Sequence, residues 1–239
     1  MKLEMMRKLA KDKSASLSVL DKLSVTRDWG VRASVADNPN TSTVVLERLS
    51  KDCDVRVRAS VARNRNTPSS VLEKLSADHY SVRLYAAENP NTPISALEML
   101  SEDANMTIRW NVARNTNTST STLEKLSKDK DGLIRRSVAS NPNTSSSTLE
   151  MLSKDKDKDI RCNVANNPNT PISVLEKLSG DEEPIVIGDA RQNPKNYRLR
   201  EMMKVGRASE LDFNIPCSFD FGMEWLHVEW LSNWDKDFF

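Results

Sequence analysis

Arginine recurs at positions 32, 58, 83, 109, 135 and 161, and aspartate at 52, 78, 103, 129, 155 and 181. Evenly spaced guanidiniums can grip the phosphates of a nucleic acid. They can also be held by carboxylates or helix-end carbonyls, because a charge withdrawn from water needs partners. Stacked units demand invariance of their packing residues. The spacing therefore favours a structural ladder of Arg32, Arg58, Arg83, Arg109, Arg135 and Arg161. Asn keeps the same step at 38, 64, 89, 115, 141, 167 and 193, and a ladder of turns explains it better than a ligand site.

Other residues suited to chemistry are scattered. His79 and His227, with Cys53, Cys162 and Cys217, show no metal-ligand spacing. Neither a phosphate-cradling Gly-rich loop nor a Gly-x-Ser-x-Gly elbow occurs. Carboxylate pairs fill the linkers, but they return with every unit, whereas a catalytic pair would be expected once. These features predict a chain that is not an enzyme and uses no cofactor and no metal. An odd number of Cys excludes a complete set of intrachain disulfides, Met1–Lys13 is mixed and charged, and no stretch is apolar enough to span a bilayer. The expectation is a cytoplasmic protein with no membrane partner.

The columns belong to a tandem repeat. Leu runs through 20, 46, 72, 97, 123, 149 and 175, and again through 23, 49, 75, 100, 126, 152 and 178. The step is 26 residues, shortened to 25 at the linker Ala77–Ser81. Each unit reads as two short helices. Acidic linkers such as Lys51-Asp52-Cys53-Asp54 are suited to capping the first. Thr-Pro pairs (Thr67-Pro68, Thr92-Pro93, Thr170-Pro171) predict the start of the second, with Thr as cap and Pro in the first turn. Asn-Pro-Asn-Thr between them predicts a turn in which Asn tolerates unusual backbone angles. One unit cannot bury its apolar stripe alone; stacking merges the stripes and leaves the ends to be capped. Met6 and Ile187 interrupt the Arg column at the two ends, and Glu201 and Lys204 replace the paired Leu.

The string Val-Arg-x-x-Val-Ala-x-Asn-Pro-Asn-Thr-Pro-x-x-x-Leu-Glu-x-Leu-Ser-x-Asp resembles the leucine-rich repeat variant family over about residues 15–195. The resemblance implies a right-handed superhelix of alternating α and 3₁₀-like helices, related to HEAT and armadillo stacks. One family member holds an iron–sulfur cluster on an N-terminal Cys cluster; this chain has no Cys before Cys53, so that feature does not transfer. Family fixes fold, not activity. The expected architecture is an all-α, right-handed α-solenoid of about seven 26-residue two-helix repeats with degenerate end caps. It occupies 1–204, with an N-terminal cap at 1–30, regular repeats at 31–186 and a degenerate last repeat at 187–204, followed by an acidic aromatic segment at 205–239.

On a helical wheel Val57, Val61, Arg58 and Ala62 share a buried arc, while Ala59, Ser60 and Arg63 are predicted to face outward. Their columns vary, holding Leu84, Trp110, Arg136 and Cys162 in one and Tyr85, Asn111, Ser137 and Asn163 in the other. His79, Tyr80, Leu84, Tyr85, Trp110 and Arg136 are the candidate partner-binding residues. Coverage by curvature or by the C-terminal segment is the competing explanation. Formal charge is +1 overall, but 207–239 holds seven acids against Arg207 and Lys236, a net of −5, leaving +6 on 1–206. That segment also holds eight of the 13 aromatics. Trp225, Trp230 and Trp234 are candidates for docking, as a homodimer element or toward a basic partner, unless the segment seals the last repeat. The function expected is a non-enzymatic protein-binding scaffold or adaptor. The alternative is nucleic-acid binding through a basic face that includes Arg63, Arg65, Arg114 and Arg136.

Overall fold

The computed structural model describes residues 2–196. The chain divides into two units, Met1–Leu199 and Arg200–Phe239, and the described residues lie in the first. Among the described residues, fifteen complete helices alternate between two lengths. The longer, first helices of the units are α1 (Leu3–Lys11), α3 (Trp29–Asp37), α5 (Val55–Arg63), α7 (Tyr80–Glu88), α9 (Met106–Arg114), α11 (Gly132–Ser140), α13 (Lys158–Asn166) and α15 (Pro184–Gln192). The shorter, second helices are α2 (Leu17–Leu23), α4 (Thr43–Leu49), α6 (Ser69–Leu75), α8 (Ile94–Leu100), α10 (Thr120–Leu126), α12 (Ser146–Leu152) and α14 (Ile172–Leu178). All are α-helical among the described residues. The second helices close with i to i−4 bonds, as in Ser50 N to Leu46 O and Ser76 N to Leu72 O, both 2.9 Å, so the 3₁₀-like expectation does not hold.

One apolar core runs from Ala10 to Ala190, with Leu46, Leu72, Leu97, Leu123, Leu149 and Leu175 fully buried. Removing each such side chain from water contributes on the order of 1.5–3 kcal/mol. First helices pack directly on the first helices of neighbouring units; second helices stand further apart from each other. The stack therefore curves with the first helices on its inner side.

Polar groups join the units as regularly as the leucines do. Arg32, Arg58, Arg83, Arg109, Arg135 and Arg161 each donate Nε to the Asp of the following linker, at 2.6–2.8 Å. Their Nη1 groups donate to carbonyls of their own linker, as Arg58 does to Asp52 O at 2.7 Å. The Arg58 hydrogen bond, working against burial, holds the Asp78 carboxyl below its ordinary range. At Asp52 burial is the largest influence and raises the pKa. The Arg32 bond and the Asp54 amide together outweigh it, and Asp52 too titrates low. These six guanidiniums are occupied inside the stack.

The Asn column is equally internal. Asn64 Nδ2 donates to Ala36 O and Asn38 O of the preceding unit, at 2.6 and 3.0 Å, and its Oδ1 accepts from Asn66 N at 2.8 Å. Every Asn from Asn38 to Asn193 in this column repeats the double donation. The backbone at these residues is ordinary extended chain, for example φ −71° and ψ 127° at Asn38, and no described residue has positive φ. Asn is required here for its side chain, not for tolerance of unusual angles.

The caps also differ in detail. Thr41, Thr67, Thr92, Thr118, Thr144 and Thr170 turn their hydroxyls back to a carbonyl of the preceding first helix, as in Thr67 Oγ1 to Val61 O at 2.6 Å. They satisfy the end of one helix rather than the start of the next. Pro68, Pro93 and Pro171 occupy the N-cap itself. Where Pro is replaced, Ser42, Ser119 and Ser145 accept from an amide three residues on. The acidic linkers do cap the first helices, through Asp28, Asp54, Asp131 and Asp157, with Asn105 doing the same.

Candidate partner-binding face

A first helix is covered on three sides: by its own second helix and by the first helices before and after it. On α5 this buries Val57, Ala59, Ser60, Val61 and Ala62 and leaves Arg56 and Arg63 exposed. The expected outward direction of Ala59 and Ser60 is thus corrected. Ala33, Ser34, Ala59 and Ser60 are buried between first helices, and Leu84, Tyr85, Trp110 and Cys162 are half-buried against the core. The Ala59 column faces the next unit and the Ser60 column the previous one, as Asn111 Nδ2 donating to Leu84 O at 3.2 Å shows. Where the first of these columns holds Ala, between α3 and α5 and between α5 and α7, the helices pack most closely. Where it holds Arg7, Leu84, Trp110, Arg136 or Cys162, they stand further apart.

The open inner face carries two shallow grooves between adjacent units. One, near 390 Å³, is lined by Trp110, Arg114, Leu133, Arg136 and the Ser140–Pro142 corner. The other, near 260 Å³, is lined by Arg63, Arg65, Tyr85, Glu88 and Pro90. Each holds an aromatic ring with a guanidinium over it: Arg114 lies 4.4 Å from the Trp110 centroid and Arg63 lies 5.4 Å from that of Tyr85. A third pair, Arg56 over Trp29 at 3.3 Å, joins α5 to α3 at the N-terminal ends of these helices and lines neither groove. Stacking occupies the face of a guanidinium and leaves its N–H edge available to an acceptor.

The charges here are unevenly neutralised. Arg63 is paired with Asp37 at 2.6 Å, a hydrogen bond that raises its pKa, and Arg136 is paired with Asp159 at 3.2 Å. Arg65 and Arg114 form no ion pair among the described residues. Leu133 forms an apolar wall with 53% exposure.

The candidate residues fall into separate groups. Tyr85, Trp110 and Arg136 line the grooves, and Leu84 supports them from between α7 and α9. His79 and Tyr80 stand at the opposite, N-terminal end of α7 and line neither groove. His79 is the N-cap of α7, its Nδ1 accepting from Ser81 N at 3.3 Å, in the linker that is one residue short. Tyr80, 54% exposed, tilts against the His79 ring at 4.7 Å. Trp225, Trp230 and Trp234 lie outside the described residues. Leu133 lines the α9–α11 groove, and Trp29 and Arg56 form the third ring–guanidinium pair; sequence singled out none of the three. Trp29 and Arg56 occupy adjacent repeat positions in consecutive units, and that offset is the signal which could have found them.

Among the described residues no three of His, Cys, Asp or Glu are grouped to hold a metal ion, and no helix is long and apolar enough to cross a membrane. Burial, with Asp189 nearby, pushes the Cys162 thiol up to about 11.

The family profile described as leucine rich repeat variant matches residues 55–79. A solved leucine-rich repeat variant structure with a repetitive structural motif is 24% identical, with a TM-score of 0.55, covering 80% of this chain and 81% of that one. That likeness establishes the fold. An engineered protein is 18% identical over 85% of this chain and 77% of its own, with a TM-score of 0.43. An archaeal HEAT-like repeats protein from Thermococcus onnurineus NA1 is 13% identical over 83% of this chain and 98% of its own, with a TM-score of 0.39. No curated protein matches.

Proposed function

Taking the chain as a leucine-rich repeat variant solenoid, we propose that it is a non-enzymatic scaffold whose first-helix layer receives a protein partner. The observation that carries this reading is a division of labour among side chains. The repeating Arg, Asn, Thr and Leu columns are consumed by contacts within the stack. The ring–guanidinium pairs and the two grooves differ from unit to unit and remain open. Invariant positions build the array, and variable ones are available to specify what it binds.

The test is site-specific photocrosslinking in the native host. A crosslinking residue in place of Ser140, on the inner face, should capture a protein. The same residue in place of Glu73, on the second-helix side, should not. Capture confined to Glu73 would refute the reading.

A second reading, nucleic-acid binding, draws on Arg65 and Arg114, which no carboxylate neutralises among the described residues. It requires duplex or single-strand affinity that falls steeply with salt. Undetectable binding at low salt excludes it.

A further inference from the structure

We propose that the inner face binds an extended acidic peptide bearing two aromatic anchors, one for each groove; this deepens the proposed function and rests on it. Each groove has the volume for one large side chain and not for a helix. Each also joins an apolar surface to a guanidinium edge. In the α9–α11 groove the Trp110 ring and Leu133 form the walls, and Arg114 presents N–H donors at the mouth. In the α5–α7 groove Tyr85 forms the wall, and Arg65 supplies a cation that forms no ion pair among the described residues. A ring flanked by a carboxylate meets both features at once, because a fork of guanidinium donors accepts a carboxylate through two parallel bonds.

The stack sets the spacing of the anchors. The grooves lie two units apart, roughly 20 Å if each helical layer adds about 10 Å. An extended strand covers that distance in about six residues at about 3.4 Å each. A peptide with anchors six residues apart should therefore engage both grooves, and its second contact is made at high effective concentration.

Charge favours a peptide over a nucleic acid. A single strand carries a negative charge at every nucleotide and would pass Asp37, Glu88 and Asp159 along the same face. A peptide can place its carboxylates opposite Arg65 and Arg114 alone.

Fluorescence polarisation of the full-length protein with labelled peptides tests the proposal. The peptides carry Glu-Trp-Glu units in a Gly-Ser background: a single unit, or two units with Trp residues two, six or ten positions apart. The six-residue spacing should bind at least tenfold more tightly than the single unit. Arg114→Glu and Arg65→Glu, both exposed substitutions whose folding is checked by circular dichroism, should each weaken it at least tenfold. Equal affinity at all spacings, or indifference to both variants, overturns the proposal. So does a labelled oligothymidylate that binds more tightly than every peptide and is lost in the same variants. If neutral peptides selected from a random library bind and Arg114→Glu abolishes their binding, the acidic chemistry is wrong while the docking face stands. Crosslinks found only on the second-helix side remove both.

Discussion

Replacing Asn115 by alanine should be among the most damaging single changes in the chain, although its amide group works through hydrogen bonds to backbone rather than through apolar packing. Asn115 is 6% exposed. Its Nδ2 donates to Ala87 O and Asn89 O of the preceding unit, each at 2.9 Å, and its Oδ1 accepts from Asn117 N at 2.9 Å. Three neutral hydrogen bonds at about 1 kcal/mol each give a loss of about 3 kcal/mol, since truncation removes the side-chain donor from two carbonyls and the acceptor from the Asn117 amide. For a unit of this size about 1 kcal/mol moves the melting temperature by roughly 2–4 °C, so Asn115→Ala should lower it by roughly 6–12 °C. Asn117→Ala is the control. Asn117 also bonds across units, to Thr92 O at 2.7 Å, but it is exposed and water replaces the lost partner. Asn115→Asp separates shape from donor chemistry. It places an anionic oxygen against two carbonyls, which should destabilise more than alanine at pH 7. Its folded-state pKa would then lie above the unfolded value, so the deficit should shrink as pH falls and the acid regains a proton to donate. Melts followed by circular dichroism give the magnitude, and amide exchange locates the loosened joint between α7 and α9. A shift below about 2 °C for Asn115→Ala, or one no larger than that of Asn117→Ala, would refute the idea that the Asn column fastens the units.

The Arg–Asp column should behave as a coupled pair. Asp129→Ala leaves Arg109 nearly buried without its acceptor and should cost about 2–3 kcal/mol, whereas Arg109→Met with Asp129→Ala should cost less than the separate effects combined; a double-mutant cycle measures the difference. Asp52, Asp78, Asp103, Asp129, Asp155 and Asp181 all titrate below the ordinary 3.8. Their contribution is present in full above that value and is lost as pH falls through the lowered folded-state range, so acid titration of ellipticity should show a steep loss below about pH 4 and none between pH 5 and 8. With Cys162 at about 11, only about one thiol in a thousand is ionised at pH 8. Peptide mapping after brief alkylation at that pH should leave Cys162 unmodified in the folded protein, and rapid labelling would contradict its burial.

Much of this architecture was legible because a stacked repeat writes each contact several times. The columns at Leu72, Leu75, Arg58 and Asn64 announce positions that cannot vary, and the structure places them in the core or in cross-unit hydrogen bonds. What failed was direction. A wheel drawn for one amphipathic helix allows one buried arc, but α5 has neighbours on three sides, so Ala59 and Ser60 are covered while Arg56 and Arg63 remain outside. Backbone conformation was misread for a related reason. Asn-Pro-Asn-Thr carries a turn signature, yet the demand on Asn64 comes from the carbonyls of Ala36 and Asn38, which are adjacent only after stacking. The grooves were partly readable. Trp110 and Arg114, four apart on one helix, meet within a single element; Trp29 and Arg56 need two.

The difference between the two close first-helix joints and the wider ones has a consequence for how such an array could change. The spacing of each joint follows the size of the Ala59-column side chain that faces it, so a change at one joint can be made locally. Exchanging Trp110 for alanine would let α9 and α11 settle together and close the larger groove, whereas a leucine at Ala59 would wedge open a joint that is now shut. Shape in this chain is written one hinge at a time, and a single codon can rewrite the contour a visitor meets.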